Sequence, residues 1–298
     1  MKFLKISYLL FFCLALEAVI VDTGHANVSL VKFESLEGNR SKTLLGIKMD
    51  MQENWHTYWK NPGDSGGPIK VKWSHDNNIS ISKIYWPTPT LIPYEPLMTY
   101  GYKNFVIFPF EITNSNNKNS YIEANIDFLI CDDICVPEKA LIKTNLDEIK
   151  SDPSLNDWFL KVPDQILPVK ASVDSEYINI RFSSPFDVSS AIFFVDEQDI
   201  VEHAENQKLS KEENNYLLSI KKVDYLESFE NLSGVLSINN NESFIIDAEI
   251  ENITQNSFNI SFFQALIFAF VGGLILNLMP CVFPIISLKV LSFVSMSN

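Results

Sequence analysis

The sequence predicts a mainly β protein: a β-sandwich amino-terminal domain, a second and smaller β domain, and a carboxy-terminal transmembrane helix. The first observation is a series of short runs between residues 27 and 147 in which apolar and polar side chains alternate. Similar runs recur between residues 155 and 253, and a nearly continuous apolar stretch begins at Phe258. With 298 residues, of which 46% are hydrophobic, the chain is long enough for two modest domains with buried cores.

Residues 1–26 are typical of a secretory signal peptide. Lys2 and Lys5 precede an apolar run, and Gly24-His25-Ala26 offers a small-residue cleavage site. Glu17 interrupts the apolar run, so an uncleaved anchor is the alternative interpretation. Both interpretations place the following domain outside the cytoplasm.

The predicted first domain, residues 27–147, is rich in strands separated by turns. Alternation with a period of two indicates strands with one buried face, and turn-rich pieces such as "KNPGDSGGP" separate them. Many short strands joined in this way favour a β-sandwich. The alternation is clearest in "LLGIKMDM" from Leu44, "IKVKW" from Ile69 and "YIEANIDF" from Tyr121.

The predicted second domain, residues 155–253, begins within a linker-like stretch at residues 148–159 that could hold a short helical turn. Four runs alternate again: "YINIRF", "AIFFV", "NYLLSI" and "SFIIDAEI". His203 stands alone there, and the sequence assigns no chemistry to this domain.

The stretch from residue 258 to 298 predicts the start of a membrane domain. A spanning helix needs about 20 apolar residues, and "FFQALIFAFVGGLILNLM" followed by "PCVFPIISLKVLSFV" supplies them. Lys289 would then lie at the cytoplasmic end. Pro280 and Pro284 flank Cys281 and would break the helix there, which would let a thiol at the break be reached from either side.

The acidic balance of the chain limits its partners. The formal net charge is −14, which argues against nucleic acid and disfavours docking on anionic lipid, because both need a basic face.

The cysteine count indicates a thiol with a specific role. Cys13 would leave with the signal peptide, so the exported chain would keep Cys131, Cys135 and Cys281. An odd number in an exported protein suggests a reactive thiol or an absent partner.

Cys131 and Cys135 can bond only if the chain reverses between them. Residues four positions apart on a straight strand are about 13 Å apart, whereas a disulfide needs Cα atoms about 4.4–6.8 Å apart. The sequence therefore predicts a strand ending at Phe128, a tight turn at "DDI", and a Pro137 that hinders regular pairing afterwards.

Three roles are open to this pair: an exchangeable disulfide, a structural staple or a metal site. Closing so short a loop constrains the unfolded chain very little, which favours exchange over a staple. Zinc needs four ligands with paired spacing, so Cu(I) held by the two thiols is the stronger metal alternative. Asp132, Asp133 and Glu138 would disfavour a thiolate, which predicts a pair that reacts only with a docked partner.

Three segments together resemble a known family. "NWHTYWKNPGDSGGP", "MTYGYKNFVIFP" and "DFLICDDICVPEKA" resemble the amino-terminal domain of DsbD-type thiol:disulfide interchange proteins, especially the ScsB-like branch. "GGLILNLMPCVFPIISLKVLSF" resembles the start of the DsbD/CcdA-type membrane domain.

The resemblance implies a protein-disulfide reductase of the bacterial inner membrane that needs no soluble cofactor, with its amino-terminal domains in the periplasm. Electrons would pass from cytoplasmic thioredoxin through a membrane cysteine pair, which includes Cys281, to Cys131 and Cys135. They would continue to periplasmic disulfide proteins and cytochrome c maturation factors. The family fold implies an immunoglobulin-like sandwich with a cap loop, expected near Met98–Tyr102 with Tyr100 as the shielding ring.

The chain departs from the family pattern in two ways. Better-known members space the two exported cysteines more widely, and they continue through further membrane helices, one of which bears the second membrane cysteine. We therefore expect this chain to be a fragment or to be completed by a second polypeptide. The alternative function is a membrane-anchored periplasmic copper-binding β domain that uses the same two thiols.

Overall fold

The chain divides into two compact units, Met1–Asn252 and Ile253–Asn298. The computed structural model describes residues 19–33, 42–114, 119–153, 155–213, 215–226, 229–251 and 262–278.

The described residues form a mainly β structure. Its strands, in chain order, are β1 (Ile20–Asp22), β2 (Ala26–Lys32), β3 (Lys42–Met51), β4 (His56–Gly63), β5 (Lys70–His75), β6 (Ile79–Ile81), β7 (Thr90–Tyr94), β8 (Leu97–Lys103), β9 (Phe105–Asn114), β10 (Tyr121–Cys131), β11 (Cys135–Asn145), β12 (Val169–Val173), β13 (Tyr177–Phe182), β14 (Ala191–Val195), β15 (Lys208–Glu212), β16 (Asn215–Lys221), β17 (Asn231–Ile238) and β18 (Glu242–Glu251). Its helices are α1 (Leu155–Phe159), within the predicted linker, and α2 (Phe262–Leu278).

The first eleven strands build two sheets around one core. The first sheet has the order β1-β2-β3-β9-β6, and the second has the order β11-β10-β4-β8-β7, with β5 paired to β10. The alternation predicted from the sequence is confirmed in both sheets, because the apolar faces of β3 and β10 point into the shared core. The buried residues of these two faces are Leu45, Ile47, Met49, Met51, Ile122, Ala124, Ile126 and Phe128.

The remaining strands form a third sheet in the order β14-β17-β18-β12-β13-β16-β15. It has a core of its own, to which β18 contributes Ile246 with Phe244, Ala248 and Ile250 at its margin, as the alternation predicts. Phe194 and Val235 are exceptions, because they pack with the core of the first two sheets. The third sheet is thus joined to the other two by shared apolar packing.

The folded unit begins before the boundary that the sequence suggested at residue 27. Strand β1 pairs antiparallel with β2, so residues 20–26 belong to the first sheet. Thr23 and His25 reach the carboxylate of Glu138, whose side chain is only 5% exposed. The His25 ring also stacks on Trp55 at 3.8 Å between centroids. A buried carboxylate needs such partners, and this segment supplies them.

The second unit is described only at α2. None of the helices in the described part of the chain is long and apolar enough to cross a membrane. Cys281, the two flanking prolines and Lys289 lie outside the described residues, as do Cys13 and the first 18 residues of the predicted signal peptide.

We expect the segment before residue 27 to stabilise the amino-terminal sheets. A chain that starts at Asn27 should lose about 3 kcal/mol of unfolding free energy relative to one that starts at Val19, because the buried Glu138 loses its partners. Urea unfolding measures the difference. The matched control is Glu138→Gln in both chain lengths, which should shrink the cost of the deletion. Equal stability of the two unsubstituted chains would contradict this role.

Candidate functional site

The candidate site is a disulfide at the tip of the β10–β11 hairpin. Cys131 and Cys135 are opposite partners in the antiparallel pairing and are bonded, with Cα atoms 4.2 Å apart. The backbone N–H of Asp132 donates to the carbonyl of Ile134 at 3.2 Å and closes the turn. The predicted tight turn is confirmed, but the strand before it reaches Cys131 and does not end at Phe128.

The expectation for Pro137 was wrong. Pro137 pairs opposite Leu129 within a strand that runs without interruption to Asn145. The reason is position, since β11 is the outer strand of its sheet in the order from β11 to β7. On an edge strand, proline can occupy a site whose missing N–H would face away from the neighbouring strand.

The two sulfur-bearing residues differ in their access to solvent. Cys131 is 1% exposed, whereas Cys135 is an exposed residue and Ile134 beside it is 67% exposed. A thiol arriving from solvent therefore meets the sulfur of Cys135 first. In that approach, the sulfur of Cys131 would be the one released.

Tyr58 on β4 contacts both sulfurs. Its hydroxyl donates to Sγ of Cys131 at 2.7 Å and lies 3.3 Å from Sγ of Cys135. Burial raises the pKa of Tyr58 to about 12, so the phenol keeps its proton at neutral pH and remains a donor. Gly66, at φ +102°, leaves room for the ring, because a Cβ there would lie 2.2 Å from it.

His56 is also brought to the disulfide, although no motif in the sequence pairs it with either cysteine. It is the opposite partner of Cys131 in the pairing of β4 with β10. Burial, helped by Lys103 and opposed by Asp132, lowers the pKa of His56. The ring is therefore neutral at neutral pH, and it lies 5.3 Å from the ring of Tyr58 between centroids.

The three carboxylates of the turn region have different environments. Asp133 is exposed and its backbone carbonyl accepts a hydrogen bond from the hydroxyl of Tyr94 at 3.3 Å. Asp132, in the same turn, is half-buried. Glu138 instead points into the protein, where His25 Nδ1 lies 2.5 Å from its carboxylate. The sequence predicts that all three act on the thiols, but Glu138 is engaged by the amino-terminal segment.

Tyr100 is not a shielding ring. Gly101 lies opposite Tyr58 in the β4–β8 pairing, so Tyr100 points to the other face of the sheet from Tyr58. It is 1% exposed, and its hydroxyl lies 2.9 Å from Nδ1 of His203. The part of the β7–β8 hairpin that reaches the disulfide turn is its tip, through the hydroxyl of Tyr94.

No metal centre is found in the part of the chain that the structure describes. Within those residues, no three His, Cys, Asp or Glu side chains converge as they would around an ion. His75 is exposed and lies on β5, opposite Ile122.

Comparisons with known proteins agree with this geometry. Residues 27–146 match the family model described as the thiol:disulfide interchange protein DsbD, N-terminal. The comparison with curated protein sequences gives no match.

Among solved structures, the chain is similar to the N-terminal periplasmic domain of ScsB from Proteus mirabilis. The TM-score is 0.62 at 17% identity, and the match covers 78% of this chain and 96% of that one. This likeness concerns the fold. A match to the yeast GGA1 GAE domain has a TM-score of 0.25 at 9% identity, covers 44% of this chain and 98% of that one, and carries no argument. Residues 27–146 therefore belong to the DsbD amino-terminal domain family of thiol:disulfide interchange proteins, within a chain whose fold is ScsB-like.

Proposed function

We propose that this chain is a protein-disulfide reductase that exchanges electrons through Cys131 and Cys135. The observation that carries the proposal is the asymmetry of the bridge, with one residue exposed and the other buried against the hydroxyl of Tyr58. The bridge closes a loop of only three residues, so it constrains the unfolded chain little and contributes little as a staple.

Reduction of the bridge follows the usual course of thiol–disulfide exchange. A partner thiolate attacks Sγ of Cys135, the S–S bond breaks, and its electron pair goes to Sγ of Cys131. A second thiolate of the partner then attacks the partner sulfur of the mixed disulfide and releases Cys135. The partner is oxidised to a disulfide, and the chain becomes a dithiol after taking up two protons. The dithiol reduces the next protein by the reverse sequence.

Tyr58 supports the step in which Cys131 leaves. A thiolate in a buried position loses its hydration, which raises its free energy. The phenol hydroxyl is already 2.7 Å from that sulfur and can donate to the charge as it forms. Because His56 is neutral, it adds no positive charge that would favour loss of the phenol proton. The proposed role of Tyr58 is therefore to stabilise the leaving thiolate.

The wider relay is part of the same proposal. The ScsB match is described as a periplasmic domain, which supports an exported location for this chain. In this proposal, residues 27–147 are an immunoglobulin-like redox domain, and residues 155–253 are a second β domain. A signal peptide cleaved before β1 and the start of a membrane domain at residues 258–298 would place the chain at the bacterial inner membrane. Cys281 would belong to the membrane pair that passes electrons from cytoplasmic thioredoxin.

The electrons would leave the chain through exported thiol proteins. We propose oxidised periplasmic proteins and cytochrome c maturation factors as acceptors, on the strength of the family match. Copper binding, the alternative raised by the two thiols, gains no third ligand among the described residues.

Redox titration tests the proposal. In a full-length chain with Cys13→Ser and Cys281→Ser, a dithiothreitol buffer series should reversibly raise the number of free thiols per chain from zero to two. The β signal in circular dichroism should stay unchanged. The reduced chain should then reduce an oxidised thioredoxin-fold protein. Adding Cys131→Ser and Cys135→Ser should abolish both effects. A bridge that resists strong reductant in the folded chain, or a dithiol that no such protein oxidises, would refute the function.

Tyr58→Phe should slow opening of the bridge by about tenfold and raise the pKa of the Cys131 thiol by about 1–2 units. The expected size follows from losing one hydrogen bond to a charged group, and the ring itself is kept. Stopped-flow reduction and a pH titration of the thiol measure the two effects. Tyr94→Phe is the matched control, because its hydroxyl contacts the turn backbone and neither sulfur. Equal rates for the two variants would show that the Tyr58 hydroxyl has no part in the exchange.

A further inference from the structure

The regular pairing of the strand that carries Tyr58 is interrupted directly after this residue. In the pairing of β4 with β8, Tyr58 lies opposite Gly101, and the next pair joins Gly63 to Thr99. Residues 59–62 fall between these two pairs, where the register shifts. Strand β4 pairs with β10 at His56 alone. Between Tyr58 and Gly63, the backbone of β4 therefore lacks regular pairing with β8.

Asn61 supplies a substitute for that ladder through the third sheet. Its side chain is 1% exposed, and Nδ2 donates to the backbone carbonyls of Val195 and Glu197, both at 2.9 Å. Its Oδ1 accepts from the N–H of Gly63 at 3.0 Å. Both amide hydrogens and the carbonyl oxygen of the side chain are thus in use.

The two carbonyls are suited to this contact because of where they lie. Strand β14 ends at Val195 and is the outer strand of the third sheet. The carbonyl of Glu197 lies two residues further on, in the bend that follows the strand. Asn61 therefore binds the chain where β14 ends, as a donor to two backbone carbonyls.

Aromatic packing strengthens the same junction. Phe194 lies under β4 and β8, with its ring centroid 6.2 Å from that of Trp59 and 5.0 Å from that of Tyr100. The hydroxyl of Tyr100 lies 2.9 Å from Nδ1 of His203, which lies between β14 and β15. Lys60 and Asp196 add an ion pair at 2.7 Å, but this pair is partly solvated and contributes little.

We propose that the third sheet is a support for the redox site and that Asn61 is a positioning residue that acts through Tyr58. The proposal rests on the proposed function, and it gives residues 169–251 a role that their sequence did not suggest. Tyr58 faces the sulfurs while Trp59 and Asn61, on the same strand, are held by the third sheet. Weakening these contacts of Trp59 and Asn61 would move the phenol away from the sulfur of Cys131 while the Tyr58 side chain itself is retained.

The test measures the thiol, so it does not depend on any protein partner. In the full-length chain with Cys13→Ser, Cys135→Ser and Cys281→Ser, thiolate absorbance against pH gives the pKa of the Cys131 thiol. Asn61→Ala should raise this pKa by about one unit, which is a tenfold smaller thiolate fraction at a given pH below it. Lys60→Ala removes the partly solvated ion pair to the same sheet and the contact of the ammonium with the Trp59 ring, but it keeps the Asn61 hydrogen bonds, so it should leave this pKa unchanged.

A double-variant comparison separates positioning from general destabilisation. If Asn61 acts through Tyr58, Asn61→Ala should add nothing to the pKa in a Tyr58→Phe chain. If Asn61→Ala does not fold, Phe194→Leu tests the same junction while it keeps the amide hydrogen bonds, and it should give a shift of the same sign. An unchanged pKa in the folded variant, or a shift that adds fully to that of Tyr58→Phe, would overturn the proposal. A chain that shows the shift but reduces no protein would leave the support in place and refute the function.

Discussion

The site depends on the register of the β10–β11 hairpin. Cys131 can face Cys135 only because the two strands pair along their full length, from Tyr121 with Asn145 to the cysteines themselves. A slip of one residue would turn every buried side chain of the hairpin, Ile126 and Ile142 among them, towards the wrong face. The hydrophobic core therefore sets the register, and the register places the two sulfurs within bonding distance. The bond itself closes too short a loop to organise the sheet in return.

This dependence makes the two sulfurs unequal. The end of β10 is covered by β4, so Cys131 is buried beside His56 and Tyr58, whereas Cys135 begins an edge strand that meets solvent. Burial alone would make Cys131 a poor leaving group, because the charged form is the one that loses hydration. In the proposed mechanism, the hydroxyl of Tyr58, which donates to the same sulfur, opposes that penalty. Access at one sulfur and charge stabilisation at the other are thus separate properties, supplied by different strands.

The sequence predicts those features that depend on local pattern. Alternation identified the buried faces of β3, β10 and β18, and the spacing of the cysteines required a turn. Features that depend on strand order were not predicted, because no local sequence pattern specifies that order. Pro137 is tolerated since β11 is an edge strand, and Tyr100 points away from the sulfurs since Gly101 lies opposite Tyr58.

Tyr58 itself was missed for a related reason. Strand β4 is buried on both faces, so "HTYWKNPG" shows no alternation that would mark it as a strand or assign its side chains to a face. The amino-terminal boundary was misplaced because the apolar run of the predicted leader continues into β1 with no break in composition. The pairing of β1 with β2, and the contacts of Thr23 and His25 with the buried carboxylate of Glu138, reveal that this segment belongs to the fold.

The supports on either side of the disulfide explain how it can open while the sheets remain folded. The amino-terminal segment binds Glu138 on β11, and the third sheet binds Asn61 on β4. Both contacts are made away from the sulfurs, and neither needs the bond between Cys131 and Cys135. Breaking that bond therefore requires no change in the paired strands or the core, since these contacts do not involve the two sulfurs. Confinement of this kind is what an exchangeable disulfide requires, since each turnover must leave the fold ready for the next partner.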